Sequence, residues 1–291
     1  MTLTTGTSTG TGADLDALLR RALRIRERIV DICGNPEGGH LGGSMSLVEV
    51  LTALYFDVMR IDPTYPDDPD RDVFLLSKGH AAIGLYATLA ERGFFAPEEL
   101  ADYAKPGSRF MGHPVRSVPG VEMPTGSLGH GLALAIGFAY AARRTGSPRR
   151  AFVAIGDGEM QEGSVWEGAM GAAGLGLDNL VAVIDRNGLQ LTGETEEICP
   201  LEPVGDRWRS FGWAVREVPG QDLAAVREAL LATPWAPGQP NALIMRTTKG
   251  AGVPFVAGTP KSHYVNFSER QLARAHSALR REAERQGVAG D

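Results

Sequence analysis

From residue 14 to about residue 33 the apolar positions Leu15, Leu18, Leu19, Ala22, Leu23 and Val30 recur at helical spacing with arginines largely between them, which predicts an amphipathic helix. A glycine-rich break, Glu37-Gly38-Gly39-His40-Leu41-Gly42-Gly43, follows. Ser44 or Ser46 is the expected cap of a second helix running through Leu47, Val50, Leu51, Leu54 and Tyr55 to about Met59. Residues 62–72 are full of Pro and Asp and read as an exposed loop. The period then changes. Val73-Phe-Leu-Leu76 and the apolar runs at 151–155 and 180–184 read as buried strands, and 213–218 and 242–245 as two more. Helical patterns separate them: an Ala/Leu-rich one after His80, a small-residue one over about 128–144, and others over about 161–175 and 223–231. A charged, amphipathic helix over about 268–285 is expected on the outside. Strands alternating with helices predict an α/β fold with one doubly wound, mostly parallel sheet and helices on both faces. With no repeat and no linker composition, a single domain is expected over 14–291, after a Thr/Gly-rich tail at 1–13 that reads as disordered.

Composition narrows the class of partner. Hydrophobic residues make up 43% of the 291 and charged residues 22%, which fits a soluble globular protein. A net charge of -6, with Arg and Lys scattered rather than gathered in a stripe, argues against a nucleic-acid surface. The first residues lack the basic and apolar regions of a signal peptide, and the longest apolar stretch, 131–142, is shorter than the roughly 20 residues that span a bilayer, so no membrane partner is expected. Cys33 and Cys199 are too few for a disulfide framework and lack metal-ligand spacing; they read as buried thiols in a reducing, cytoplasmic compartment.

Chemistry concentrates where two predicted strands end. Asp157 stands between Gly156 and Gly158 after the run 151–155, and the run 180–184 ends in Asp185-Arg186-Asn187. A carboxylate and an amide oxygen at the carboxyl ends of neighbouring parallel strands can share one hard cation, and that ion can hold a diphosphate. A helix opening after the turn adds backbone donors for phosphate. The turn lacks the third glycine of a dinucleotide-binding loop, and carboxylates facing a pyrophosphate repel it unless a cation intervenes. Of the six histidines, four directly follow a glycine: His40, His80, His113 and His130. His40, His80 and His113 fall in predicted loops and have no zinc-pair spacing, so they read as hydrogen-bond donors and proton shuttles around an oxygen-rich substrate. His130 lies inside a predicted helix and reads as a packing residue, His263 sits in a late polar loop, and His276 is expected to be solvated on the outer helix.

These residues resemble the amino-terminal, pyrophosphate-binding half of the transketolase family from about residue 14 onward. The resemblance rests on Gly39-His40, Leu76-Ser-Lys-Gly-His80, Gly112-His113-Pro114, Thr125-Gly-Ser-Leu-Gly-His-Gly131, Gly156-Asp-Gly-Glu159 with Glu162-Gly163, Asp185-Arg-Asn187-Gly188, Trp208-Arg-Ser-Phe-Gly-Trp213 and Thr247-Thr-Lys-Gly250. It implies thiamine diphosphate and Mg2+ as cofactors in a thiamine diphosphate-binding fold. Asp157, Asn187 and the Leu189 carbonyl are implied as magnesium ligands. Gly156, Gly158, Glu159, Asn187, His80 and the Gly126-Ser127-Leu128 backbone are implied at the cofactor. His40, His113 and His263 are implied as catalytic residues at the reacting carbon, and Glu162 at the interface between subunits.

In this family the pyrimidine-binding domain supplies the glutamate that protonates the aminopyrimidine ring, and this chain ends before such a domain. The expectation is therefore a split transketolase, a heterotetramer with a separate subunit carrying that domain, acting on sugars or sugar phosphates by moving a two-carbon ketol unit. Thr192 stands where the family often has Asp, and Lys261-Ser262 replaces acidic and aromatic residues before His263, which leaves the substrates open. Two alternatives stand beside this reading: a thiamine-dependent decarboxylase or dehydrogenase subunit, and a binding module that keeps the fold without the chemistry.

Overall fold

A computed structural model describes residues 13–288, so the tail expected over 1–13 lies outside it except for Ala13. Five strands, β1 (Val73–Leu76), β2 (Ala151–Gly156), β3 (Leu180–Arg186), β4 (Ala214–Pro219) and β5 (Asn241–Arg246), form one sheet in the order β1-β2-β3-β5-β4. All four pairings are parallel. Every residue of β2 and β3 is buried, as expected of strands covered on both sides, whereas β4, paired only with β5, is half-exposed.

The helices, in order, are α1 (Leu15–Cys33), α2 (Leu41–Met45), α3 (Val48–Ala53), α4 (Ala82–Arg92), α5 (Gly131–Thr145), α6 (Gly163–Gly174), α7 (Thr195–Ile198), α8 (Val204–Ser210), α9 (Leu223–Leu231) and α10 (Glu269–Arg285). Alternate strand side chains divide the core. Phe74, Phe152, Val181 and Leu243 face a cluster built from α1 to α4 and α9, while Leu75, Val153, Ala182 and Ala242 face one built from α5, α6 and α8. The chain steps outward from β2 to β3 and on to β4 by way of α6 and α8 on one face, then steps back to β5 by α9 on the other. Uniform crossover handedness requires that change of face. Helices leave β1 and β2 toward opposite faces, which opens a crevice at the carboxyl ends of these strands.

Several expectations are corrected. The single helix expected to run to Met59 is broken into α2, α3 and a wider π-turn over Leu54–Val58, and neither serine caps it. Ser44 Oγ donates to the His40 carbonyl at 2.8 Å, and Ser46 Oγ donates to Asp185 Oδ2 at 2.6 Å, so the hydroxyls serve the site instead. Asp72, expected in an exposed loop, is buried and bonds Arg60 and Arg150. Cys33 is buried as expected, but Cys199 is exposed. The helix α10 does lie outermost, packing Ala275 and Leu279 toward α1, yet His276 is not simply solvated: its Nε2 lies 2.8 Å from Asp31 Oδ1. Among the described residues no helix is long and apolar enough to cross a membrane.

Candidate functional site

Because all strands run the same way, the segments that follow β1, β2, β3 and β5 converge on one edge of the sheet. There a cavity of about 410 Å³ is lined by Lys78 and His80 after β1, Gly156 to Glu159 at and beyond the end of β2, Asn187 and Leu189 to Thr192 after β3 and Lys249 after β5, together with Gly43, Gly126, Leu128, Gln161, Glu162 and His263. Lys78 on its wall belongs to a buried ion pair. Lys78 Nζ donates to Asp185 Oδ2, and the same carboxylate accepts from Ser46, Thr247 and Asn187, the last at 3.0 Å. Burial works to raise the Asp185 pKa, but Lys78 and the hydroxyl donors outweigh it and hold the carboxyl below its usual range.

Asp157 is also buried, at 2% exposure. Its Oδ1 accepts from the Gly158 N–H at 2.9 Å, and its Oδ2 accepts from the Gly188 N–H at 2.6 Å and from Arg186 Nη1 at 3.1 Å. Burial and the neighbouring Asp185 charge raise its pKa, against the pull of those N–H groups and Arg186. Asn187 Oδ1 accepts from the Leu189 N–H at 3.1 Å, and the Leu189 carbonyl accepts from Lys249 Nζ at 3.2 Å. Burial and the charge of Lys78 push the Lys249 pKa down to about 8.

Glu159 lines the cavity, but its oxygens are engaged by Ser77 Oγ and by the N–H groups of Gly129 and Gly156, both at 2.9 Å. It thereby braces the ends of β1 and β2 against the start of α5. A Cβ on Gly158 would lie 2.9 Å from Gln190 Cβ, so the glycine is what lets the loops after β2 and β3 approach each other.

The donor set fits a diphosphate with a hard cation. Asp157 Oδ1, Asn187 Oδ1 and the Leu189 carbonyl are all oxygens, as magnesium prefers. Among the described residues no group of three or more His, Cys, Asp or Glu side chains gathers to hold a metal alone, so the ion would take its other oxygens from a bound ligand. Gln190 Oε1, Thr125 Oγ1 and the Nδ1 atoms of His40 and His263 are buried with no hydrogen-bond partner, polar capacity that the protein itself leaves unused.

The histidines gather beside the cavity, with His80 and His263 on its wall. Ring centroids lie 5.7 Å apart for His40 and His80, 5.2 Å for His80 and His263, 5.4 Å for His40 and His263, and 6.2 Å for His40 and His113. Burial first, then the neighbouring imidazoles and lysines, pushes the pKa of His40 and of His263 down to about 4, and that of His80 well below its usual value. These three rings are neutral at neutral pH and can each donate and accept one hydrogen bond.

The other expected residues divide. Gly126 packs its backbone against the His113 ring, where a Cβ would lie 3.3 Å from Cδ2. Ser127 falls in a neighbouring apolar hollow shared with Gly126, Met123 and Leu134. Glu162 lies exposed on the cavity wall. His130 is the exposed residue preceding α5, not a packing residue within a helix. Sequence reasoning gives no role to Lys78, Asp185, Arg186 or Lys249. Their signal is present all the same, since each stands near the carboxyl end of a strand inside one of the motifs quoted above.

Residues 19–287 match the family model described as transketolase, thiamine diphosphate binding domain. An apulose-4-phosphate transketolase subunit of Actinobacillus succinogenes is 45% identical over 251 residues, covering 86% of this chain and 91% of that protein. A 6-deoxy-6-sulfo-D-fructose transketolase subunit of a Clostridium species is 41% identical over 266 residues, covering 91% of this chain and 97% of the other. Among solved structures, the transketolase of Campylobacter jejuni superposes with a TM-score of 0.85 at 27% identity, over 92% of this chain and 43% of that one. The chain belongs to the transketolase family, as a subunit of the kind that forms its amino-terminal, thiamine diphosphate binding part.

Proposed function

We propose that the chain is one subunit of a thiamine diphosphate- and Mg2+-dependent enzyme that moves a two-carbon ketol unit from a ketose to an aldehyde acceptor. The observation that carries this reading is the meeting, at one sheet edge, of an oxygen donor set for a cation with a tight cluster of neutral histidines. Asp157, Asn187 and the Leu189 carbonyl would hold magnesium, and Lys78, Lys249 and the Gly158 N–H would face the diphosphate. When bound, the cofactor supplies the carbon nucleophile that breaks and forms the carbon–carbon bond.

The chain's own work is binding and proton handling. His40, His80 and His263, held neutral by burial, would bond the hydroxyls and carbonyl of the sugar, with His113 nearby, and His40 or His263 would pass a proton at an imidazole nitrogen as that bond breaks. Such a density of hydroxyl-binding groups favours ketol transfer over a thiamine-dependent decarboxylase or dehydrogenase, and a mere binding module would have no use for it.

A separate subunit with a pyrimidine-binding domain would complete the site, in a heterotetramer in the cytoplasm. Two of the relatives are named for sugars that end in a phosphate or a sulfonate, which supports a ketose with an anionic terminus as the donor class. Thr192 on the cavity wall and exposed Lys261 are the departures that would adapt it.

The test is a coupled assay of ketol transfer with this chain, a candidate partner encoded beside it, thiamine diphosphate and Mg2+. Activity is expected only with both chains present, and full activity from this chain alone would sink the divided site. Asp157→Ala should weaken metal-dependent cofactor binding by about a hundredfold or more, since loss of a ligand's partner alone typically costs about 10–100-fold.

A further inference from the structure

The segment that brings His263 to the site also brings Tyr264. Residues 264–267 are fastened along the glycine-rich segment that leads to His40. Gly39 and Val265 exchange both backbone bonds, at 2.8 and 2.9 Å, and the Phe267 N–H donates to the Cys33 carbonyl at 2.8 Å. Asn266 Nδ2 donates to the Pro36 carbonyl, and the Tyr264 hydroxyl donates to the Glu37 carbonyl. Gly38, at a φ of +66°, permits the close approach, since a Cβ there would lie 2.4 Å from the Val265 carbonyl oxygen. Tyr264 is thus held twice, through the backbone of its neighbour Val265 and through its own hydroxyl.

The Tyr264 ring stands beside the histidine cluster. Its centroid lies 4.8 Å from that of His40 with the ring planes at 90°, an edge-to-face contact. His80 and His263 lie on the cavity wall, His40 packs against both, and Tyr264 packs in turn on His40. Exposure rises along this series: the three histidines are partly buried, whereas Tyr264 is 50% exposed. A scattered exposed aromatic side chain is ordinary surface. One fixed by its hydroxyl and by a ring contact is different, because the entropy of ordering it is already lost and a ligand can pack on it at little further cost. Ligand sites combine such aromatic surface with a few placed polar groups, which the neighbouring imidazoles supply here.

We propose that Tyr264 is a specificity-determining residue, whose ring packs against the carbon chain of the sugar beyond the carbons that the histidines bond. Longer aldoses are thereby favoured over the shortest acceptor. This inference rests on the reading of the histidine cluster as the sugar-binding group. The ring takes no part in the chemistry and binds ground state and transition state alike, so its contribution falls mainly on KM and little on kcat.

Steady-state kinetics test this with the chain and a saturating partner subunit, thiamine diphosphate, Mg2+ and one ketose donor. The acceptors are glycolaldehyde, D-erythrose and D-ribose, the last two both free and as their terminal phosphates. Tyr264→Ala should lower the ratio of kcat/KM for the longer aldoses to that for glycolaldehyde by about tenfold, mainly through KM. Tyr264→Phe, which keeps the ring and loses only the bond to the Glu37 carbonyl, should hold that ratio within about threefold of wild type. A residue that merely supports His40 would lower activity with long and short acceptors alike and leave the ratio where it was. An unchanged ratio in Tyr264→Ala would therefore overturn the proposal, as would a Tyr264→Phe enzyme with as large a loss as Tyr264→Ala, or a wild type that uses no aldose longer than glycolaldehyde. A wild type that transfers to none of the acceptors would instead overturn the ketol-transfer reading itself.

Discussion

At the scale of single residues, the site is governed by desolvation. His40, His80 and His263 sit close enough together, and near enough to Lys78 and Lys249, that adding a proton to any of them is opposed by burial and by like charge. The consequence for stability follows from proton linkage. Between about 6.5, the ordinary value for His, and about 4, the unfolded chain binds protons at His40 and His263 that the folded chain refuses, so stability rises with pH across that window and falls as acid is added. Urea unfolding of the wild type should therefore show a falling midpoint from about pH 6.5 toward pH 4, and a His40→Gln, His263→Gln double variant should show a shallower fall. An identical slope in the two proteins would mean that these rings titrate normally when folded. The neutral state of the three rings was not legible in the sequence, because it depends on which loops the fold brings together. The same holds for Lys78 and Asp185, 107 residues apart in sequence and paired in the core.

At the scale of elements, the strands were legible and their ends were not. The continuous apolar runs at 151–155 and 180–184 announce buried parallel strands, but β3 continues through Asp185 and Arg186, charges that ordinarily mark a strand's end. They remain in the strand because each finds partners at the sheet edge: Lys78 for Asp185, and Asp157 with Thr195 for Arg186. The break between α2 and α3 was equally hidden: Ser44 Oγ bonds back to the His40 carbonyl at the start of α2, and Ser46 Oγ, at its end, reaches across to Asp185. At the start of α5, which lies three residues later than the apolar pattern predicts, Gly131 shows how tightly these elements meet. Its N–H donates to Ser77 Oγ at 3.1 Å, and a Cβ there would lie 2.4 Å from Ser77 Cβ and Oγ. Gly131→Ala should accordingly destabilise the fold by about 1–3 kcal/mol, the usual cost of overpacking. Calorimetry showing an unchanged unfolding temperature would contradict this packing of α5 on the end of β1.

At the scale of the whole molecule, one sheet with an unbroken parallel order delivers four segment ends to a single edge, and the proposed chemistry depends on that delivery. The doubly wound class was legible because strands and helices alternate along the chain; the order β1-β2-β3-β5-β4 was not, since nothing in periodicity tells a strand which neighbour it will take. The central claim is that the edge holds a magnesium ion and a diphosphate between the loops after β2 and β3. The most direct measurement is a crystal structure of this chain grown with Mn2+ and thiamine diphosphate, with the metal located by its anomalous scattering. A single strong peak is expected in this cavity, about 2.1 Å from oxygens of Asp157, Asn187 and Leu189, with the diphosphate beside Lys78 and Lys249. A peak bound elsewhere, or a diphosphate seated at this edge with no metal among those three residues, would contradict it.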